Sequence, residues 1–335
     1  MLSNHPPLHL LPRPVPVTLL TGFLGAGKTT LLNRILSEPH GRRIAVIENE
    51  FGAVGIDSDL LVNSEEQIVE LNNGCICCTV RGDLVRILGQ LADRRERGEV
   101  AFDRVIIETT GLADPAPVAQ TFFVEETIRQ YYRLDAVITI VDAVHAQQQL
   151  DEHCEAQEQV GFADRILLSK TDLMAQAGTD ALIARLRKLN ARAPLACVHF
   201  GQADLTQILD IDGFDLHAIL DIEPDFLSDA AHAHEHNDAI TSFVFRATRP
   251  FIAEKLEDFM GAMIDVYGKD MLRYKGVLHV LESAVRLVFQ GVHMMVGFDT
   301  GKPWRSDETP ESVLVFIGRD LPEQLFRDGL EQCLQ

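Results

Sequence analysis

The 335-residue sequence predicts an α/β protein: a doubly wound, mostly parallel sheet followed by a smaller C-terminal α+β domain. Three observations carry this. Short β-branched apolar runs alternate with helix-length amphipathic stretches through the first two thirds of the chain, a glycine-rich turn joins the first run to the first helical pattern, and the alternation gives way near residue 239 to strand, helix, three strands and helix. Continuous apolar strands suit a parallel sheet covered on both faces, and right-handed crossovers between them wind it in both directions.

Composition sets the outer bounds. At 46% hydrophobic and 24% charged residues the chain has the make-up of a soluble globular protein, and its length suits two domains at roughly 100–200 residues each. The expected division is 1–220, a linker at 221–238, and 239–335. The opening "MLSNHPPLHLLPRPVPVTLL" holds five prolines and lacks a basic segment followed by an apolar one, so it does not read as an export signal. No run approaches the ~18 apolar residues of a membrane span. The expectation is a cytoplasmic protein with reduced thiols and no membrane partner. A formal net charge of −20 argues against nucleic acid, whose binding needs Lys and Arg, and favours cations or simply solubility.

The first apolar run leads into the first motif, "PVTLLTGFLGAGKTTLLNRIL", with Leu31, Leu32 and Ile35 on one helical face. It reads G-x-x-x-x-G-K-T between a strand and a helix. Glycines let successive backbone N–H groups curl round a phosphate at a helix N-terminus, where the dipole also favours an anion. Gly22, Gly25, Ala26, Gly27, Lys28, Thr29 and Thr30 are therefore the phosphate-site candidates. Lys28 reaches the β and γ phosphates in this reading, and the Thr29 hydroxyl holds magnesium. A glycine-rich turn with an incidental lysine is the competing reading, and the flanking strand and helix weigh against it.

The following strands are expected at 42–48 ("RRIAVIE"), 103–108 ("DRVIIE"), 134–142 ("LDAVITIVD"), 164–170 ("DRILLSK") and 193–200 ("APLACVHF"). In an open parallel sheet ligands sit at the carboxyl ends of strands, so the loops after these runs carry the chemistry. "VIIETTG" ends a strand at Glu108 and places Gly111 three residues on, where a P-loop NTPase carries its magnesium acid and γ-phosphate glycine. "SKTD" follows a later strand with Lys170 and Asp172. Asp172 can accept from guanine N1 and N2 while the Lys170 stem packs along the base; the competing reading makes this segment a helix cap.

"NNGCICCTV" puts Cys75, Cys77 and Cys78 within four positions. Disulfide geometry does not suit such close neighbours, so metal, redox chemistry or chance remain. Three thiolates closing on one ion need a tight turn, which Asn72, Asn73 and Gly74 permit, and sulfur donors suit zinc or copper(I) over magnesium or calcium. Glu48, in "IENEFG", is the candidate fourth ligand. A buried trio of cysteines or a structural zinc knuckle is the bland alternative. Cys154, Cys197 and Cys333 are scattered and each is expected to be buried.

"LLTGFLGAGKTT", "IAVIENEFG", "NGCICC", "ETTGLADP" and "SKTD", in this order and spacing, resemble the CobW/YjiA family of P-loop GTPases, relatives of the nickel chaperones UreG and HypB. The resemblance covers the GTPase domain nearly end to end and continues into the second domain. It implies a metal-binding GTPase that delivers zinc or a similar ion to a client metalloprotein, with slow, metal-regulated hydrolysis. Lys28, Glu108 and Glu48 form the catalytic set, GTP, Mg2+ and Zn2+ are the cofactors, and a homodimer is a further partner. Family members often carry a second glutamate where this chain has Ala53, which removes one oxygen ligand.

The segment 221–240 is acidic and aperiodic, and its "HAHEH" sets His232, His234 and His236 two apart, on one side of an extended chain. It reads equally as an auxiliary metal site or as a solvated linker. The last domain is read as strand "ITSFVFRATRPF", helix "IAEKLEDFMGAMIDVY", strands "MLRYKGVLHVLE", "AVRLVFQGVHMMVG" and "SVLVFIGRD", and a closing helix from Pro322, with helices on one face of the sheet. Trp304 falls on a loop, as an exposed contact or at a core edge. A P-loop kinase would share the nucleotide loop but not "CICC" or "SKTD"; a non-enzymatic zinc store or sensor would leave the P-loop idle.

Overall fold

The computed structural model describes residues 14–39, 41–48, 68–70, 79–205, 208–211, 213, 239–305 and 308–335. In chain order the first part forms β1 (Val15–Thr21), α1 (Lys28–Ser37), β2 (Ile44–Glu48), β3 (Ile68–Glu70), α2 (Thr79–Glu96), β4 (Arg104–Glu108), α3 (Ala116–Val124) and α4 (Glu126–Tyr131). It continues with β5 (Tyr132–Asp142), α5 (Ala146–Glu152), α6 (Cys154–Phe162), β6 (Arg165–Ser169), a 3-10 turn (Thr171–Leu173), α7 (Gln176–Leu189) and β7 (Leu195–Val198). The second part holds β8 (Ile240–Ala247), α8 (Ala253–Tyr267), β9 (Met271–Leu278), β10 (Val285–Val292), β11 (Met295–Pro303), β12 (Ser312–Arg319) and α9 (Glu323–Gln332).

The first sheet has strand order β3-β2-β4-β1-β5-β6-β7, with every pairing parallel. β2 is buried along its whole length and β5 along nearly all of it, as strands covered on both faces require. Alternate side chains feed two cores. Val17, Leu19 and Ile47 point to one shared with α2, α3 and α6, and Leu20 and Val46 to one closed by Leu31, Leu32 and Ile35 of α1. The doubly wound architecture follows from this two-sided burial. β3 was not among the expected strands; three residues are too few to leave a periodic signal, and its pairing with β2 defines it.

The second sheet is antiparallel, in the order β11-β10-β9-β12-β8. The run "AVRLVFQGVHMMVG" is expected as one strand but divides into β10 and β11 at His293, whose φ of 51° turns the chain back as a hairpin. An apolar run spanning a two-residue turn gives no warning of it, because the apolar residues continue from buried β10 into β11, where Val296 and Phe298 are exposed. One face of the sheet packs on α8 and α9 through an aromatic cluster, with Phe316 5.2 Å from Phe243 and 5.1 Å from Phe326 between ring centroids. The other lies on α6 and α7. Gly161 of α6 permits that close approach: a Cβ there would stand 3.1 Å from Leu272 and 3.2 Å from Ile240. Trp304 is half-buried, with the Arg286 guanidinium 4.4 Å from its ring centroid and His279 edge-on to it.

A buried ion cluster also joins the two parts. Asp164, just before β6, pairs with Arg273 and with Lys275 (3.1 Å), both on β9, and accepts from the Val137 N–H at 2.9 Å. Burial by itself would raise the Asp164 carboxyl, but the two cations overcome it and hold the group at about 2. Burial and the charges of Arg192 and Arg273 push the Lys275 ammonium well below its ordinary value. Because Asp164 is depressed from an ordinary 3.8, its contribution to stability is complete above that value and is lost as pH falls toward 2. Asp164→Asn leaves the cations buried without their counter-ion and should cost about 3–5 kcal/mol of unfolding free energy at pH 7 by urea denaturation. The difference from wild type should shrink as the pH is lowered through that window.

Candidate functional site

The site forms at the carboxyl ends of β1, β4, β2 and β3. Leu20, Glu108, Glu48 and Glu70 stand in one register row across these four strands, so the loops that follow them leave from one edge. β1 lies between β4 and β5, where crossovers run to either side, and its loop therefore opens into the crevice at the reversal of strand order.

That loop turns where side chains cannot go. Gly22 has φ 143°, and a Cβ on it would run into the Ile140 carbonyl of β5; Gly25 and Gly27 have φ 74° and 105°. Gly27 is the N-cap of α1, which has neither a side-chain cap nor an acidic residue in its first turn, so its dipole faces the loop unopposed. Lys28 is 9% exposed, and its Nζ donates to the carbonyls of Gly22 (2.8 Å) and Phe23 (3.4 Å), spanning the mouth of the loop. Ala26 is buried and Thr30 exposed.

Thr29 and Glu108 come together across β1 and β4: Thr29 Oγ1 donates to Glu108 Oε1 at 3.3 Å. Glu48 is 5% exposed one strand further on. Gly111 lies against the P-loop, where a Cβ would stand 2.6 Å from the Leu24 amide nitrogen. Thr109 Oγ1 donates to Thr21 Oγ1 at 2.9 Å and ties the two loops at their roots.

On the opposite flank Lys170 adopts φ 60° and donates through Nζ to Gly25 O at 2.9 Å and to Asp142 Oδ2 at 2.7 Å. Burial would raise the Asp142 carboxyl, but hydrogen bonds from Lys170 and His145 outweigh it and hold the group below its usual range. Asp172 lies in the 3-10 turn, half exposed and 3.4 Å from His199. The turn is capped by Lys170 with no side-chain hydrogen bond, so the capping reading of "SKTD" does not hold. Ser169 donates to Ala26 O at 2.7 Å.

The structure thus brings the residues from Gly22 to Thr30 together with Glu108, Gly111 and Lys170, sets Glu48 in the same register row, and leaves Asp172 beside His199 in the turn that follows Lys170. Cys75, Cys77, Cys78, the stretch from Asn49 to Ala53, the linker 221–238 and His232, His234 and His236 lie outside the described residues. Cys154 and Cys197 correct the sequence reading: both are exposed, Cys154 at the first residue of α6 and Cys197 on the outer side of edge strand β7, whereas Cys333 is buried as expected. Sequence reasoning missed Asp142 and Gln159. The acid ending "LDAVITIVD" was a visible signal for the first, and Gln159 had none.

Residues 16–196 match the family model described as CobW/HypB/UreG, nucleotide-binding domain, and residues 240–334 the one described as cobalamin synthesis protein cobW C-terminal domain. The chain is 46% identical over 317 residues to the zinc chaperone YjiA of Escherichia coli (strain K12), covering 94% of this chain and 97% of that one. It is 39% identical over 209 residues to zinc-regulated GTPase metalloprotein activator 1 of Schizosaccharomyces pombe, covering 60% and 50%. The solved Zn(II)-bound YjiA GTPase from E. coli superposes with a TM-score of 0.79 at 38% identity, over 97% of this chain and 100% of that one.

Ser169→Ala should remove the tie between β6 and the P-loop. The expected loss is about 1 kcal/mol of stability in urea denaturation, with faster amide exchange across residues 22–27.

Proposed function

The chain belongs to the CobW family of nucleotide-binding proteins, and on that premise we propose that it is a metal-binding GTPase and zinc chaperone. It couples GTP binding and slow hydrolysis to the capture of zinc and its transfer to a client metalloprotein. The observation that carries this reading is the register row Leu20, Glu108, Glu48 and Glu70: it sets the P-loop, the Thr29–Glu108 pair, buried Glu48 and the approach to "NGCICC" along one edge. The zinc-chaperone and GTPase names of the relatives support the same reading.

In this assignment the backbone from Gly22 to Thr30 and the Lys28 ammonium cradle the phosphates of GTP. Gly111 faces the γ-phosphate, and Lys170 and Asp172 read the guanine. Thr29 and Glu108 supply the hard oxygen donors that magnesium prefers, and the ion, once bound, neutralises phosphate charge. Zinc is the cargo, held by Cys75, Cys77 and Cys78 with Glu48, and His232, His234 and His236 form an auxiliary capture site. Glu48 ends a strand at the nucleotide edge, so ordering of the following segment by GTP brings its carboxylate to the thiolates. Among the described residues no helix is long and apolar enough to cross a membrane; the cytoplasm, where thiols stay reduced, is the proposed compartment, and a homodimer the proposed assembly.

Linkage makes the coupling reciprocal: GTP should tighten zinc, and zinc GTP, by one common factor corresponding to about 1–3 kcal/mol. Zinc affinity measured against a competing chelator in the apo, GDP and non-hydrolysable GTP forms tests this, with Lys28→Ala as the variant that cannot respond to nucleotide. Affinity should also fall at acid pH, because the ligands bind as thiolates. Identical zinc affinity in all three states would refute the coupling. Serine at Cys75, Cys77 and Cys78 together should abolish tight binding; retention would move the site elsewhere.

Asp172→Asn should exchange base preference, weakening GTP relative to xanthosine triphosphate, since an amide can donate where a carboxylate only accepts. Competition binding with the two nucleotides reads this, and an equal loss of both would remove Asp172 from the base site.

A further inference from the structure

One helix ties the Glu108–Gly111 loop to the second sheet. Gln159, near the end of α6, is 1% exposed, and its Nε2 donates to the carbonyls of both Gly111 and Ala113 at 3.1 Å. A side-chain amide carries two donor hydrogens, so one Gln159 serves both carbonyls at once. Its own backbone carbonyl accepts from Thr139 Oγ1 at 2.7 Å, which pins the same residue to the interior strand β5, the neighbour of β1.

The same helix grips the second domain two residues earlier. Gln157, 5% exposed, accepts through Oε1 from the backbone N–H groups of Ala239 (3.1 Å) and Ile240 (3.2 Å), where β8 begins, and donates through Nε2 to Leu150 O at 2.7 Å. Glu158, between the two glutamines, pairs with Arg319 at the end of β12. Burial and the nearby charge of Asp114 push the Glu158 carboxyl upward, and Asp114, at the far end of the Gly111 loop, is itself raised by burial. The helix therefore has the loop on one side and the second sheet on the other. The close packing at Gly161 against Leu272 and Ile240 leaves it little slack.

We propose that Gln159 is the residue that positions Gly111 toward the γ-phosphate, and that α6 carries the resulting loop position to the start of β8, so that the second domain reads which nucleotide is bound. The inference rests on the nucleotide reading given above. Gly111 lies against the P-loop at Leu24, so a shift of residue 111 on γ-phosphate binding must pull on the Gln159 amide. Gln159 touches no substrate and acts through the loop it holds. Its effect belongs to the difference between GTP and GDP, because only GTP carries the phosphate that Gly111 faces.

The test uses the full chain and two measurements. In Gln159→Met, which keeps the side-chain length and loses the donors, affinity for a non-hydrolysable GTP analogue should fall by about tenfold while GDP affinity stays within about twofold, the size expected of a coupling between two sites. Gln159→Asn, which keeps an amide on a shorter arm, should fall between the two. The wild-type chain supplies the second measurement without any substitution: hydrogen exchange at the Ala239 and Ile240 amides should differ between the GDP and analogue forms. An unchanged analogue-to-GDP ratio in Gln159→Met, an equal loss of both nucleotides, or identical exchange at residues 239 and 240 in the two wild-type forms would each overturn the proposal. Failure of the nucleotide reading has a separate signature, wild-type chain that binds neither nucleotide or Lys28→Ala that binds both, and it would take this inference with it.

Discussion

Parallel hydrogen bonding places the end of every strand in the first sheet on one edge, and the site depends on that alignment. Glu108 and Thr29 are 79 residues apart in sequence and meet only because β1 and β4 end in register. Glu48 stands in the same row through its pairing with β4, and the short β3 carries the row one strand further. An antiparallel neighbour at any of these places would send its loop to the opposite edge. The position of β1 between β4 and β5 adds the crevice, because the crossover from β1 to β2 runs to one side and that from β4 to β5 to the other.

Within that edge the phosphate loop is held by its neighbours as much as by its glycines. Lys28 and Lys170 donate to its carbonyls from opposite sides, and Ser169 donates to Ala26. A loop tied at Gly22, Gly25 and Ala26 gives up little further backbone freedom on taking an anion, so less binding energy goes into ordering it. An oxyanion is also a stronger acceptor of charged hydrogen bonds than a peptide carbonyl, so the Lys28 ammonium has an energetic reason to exchange its partners for phosphate.

The second sheet is covered on both faces, by α8 and α9 on one and by α6 and α7 on the other, and the two coverings differ in kind. The first is an aromatic core that any sheet and helix pair could share. The second contains Asp164 with Arg273 and Lys275, and the clamp of Gln157 on the start of β8. Ions without water are costly unless geometry is kept, so this contact tolerates less sliding than an apolar one. Rigid docking on α6 makes the second domain sensitive to whatever moves that helix.

Much of the fold was legible in residue order. β-branched runs bounded by polar stretches marked the strands from β4 through β7, and Gly22, Gly25, Gly27, Lys28 and Thr29 marked the phosphate loop, because backbone conformation and helix-end chemistry are local properties. Other features were not legible in it. The hairpin at His293 sits inside an apolar run that reads as one strand, and the exposure of Cys154 and Cys197 depends on which surface the sheet edge and helix end present. Gln159 looked like any polar residue on a helix. What made it a link between a nucleotide loop and a second domain was its placement beneath the carbonyls of Gly111 and Ala113, 48 and 46 residues away in sequence. Sequence by itself determined most of the strands and helices, though not β3 or the division of β10 from β11, and which loop can hold a phosphate, since those depend on neighbours within a few residues. Tertiary structure alone decided which side chains meet across strands, since strand register and helix docking are set by the packing of the whole core.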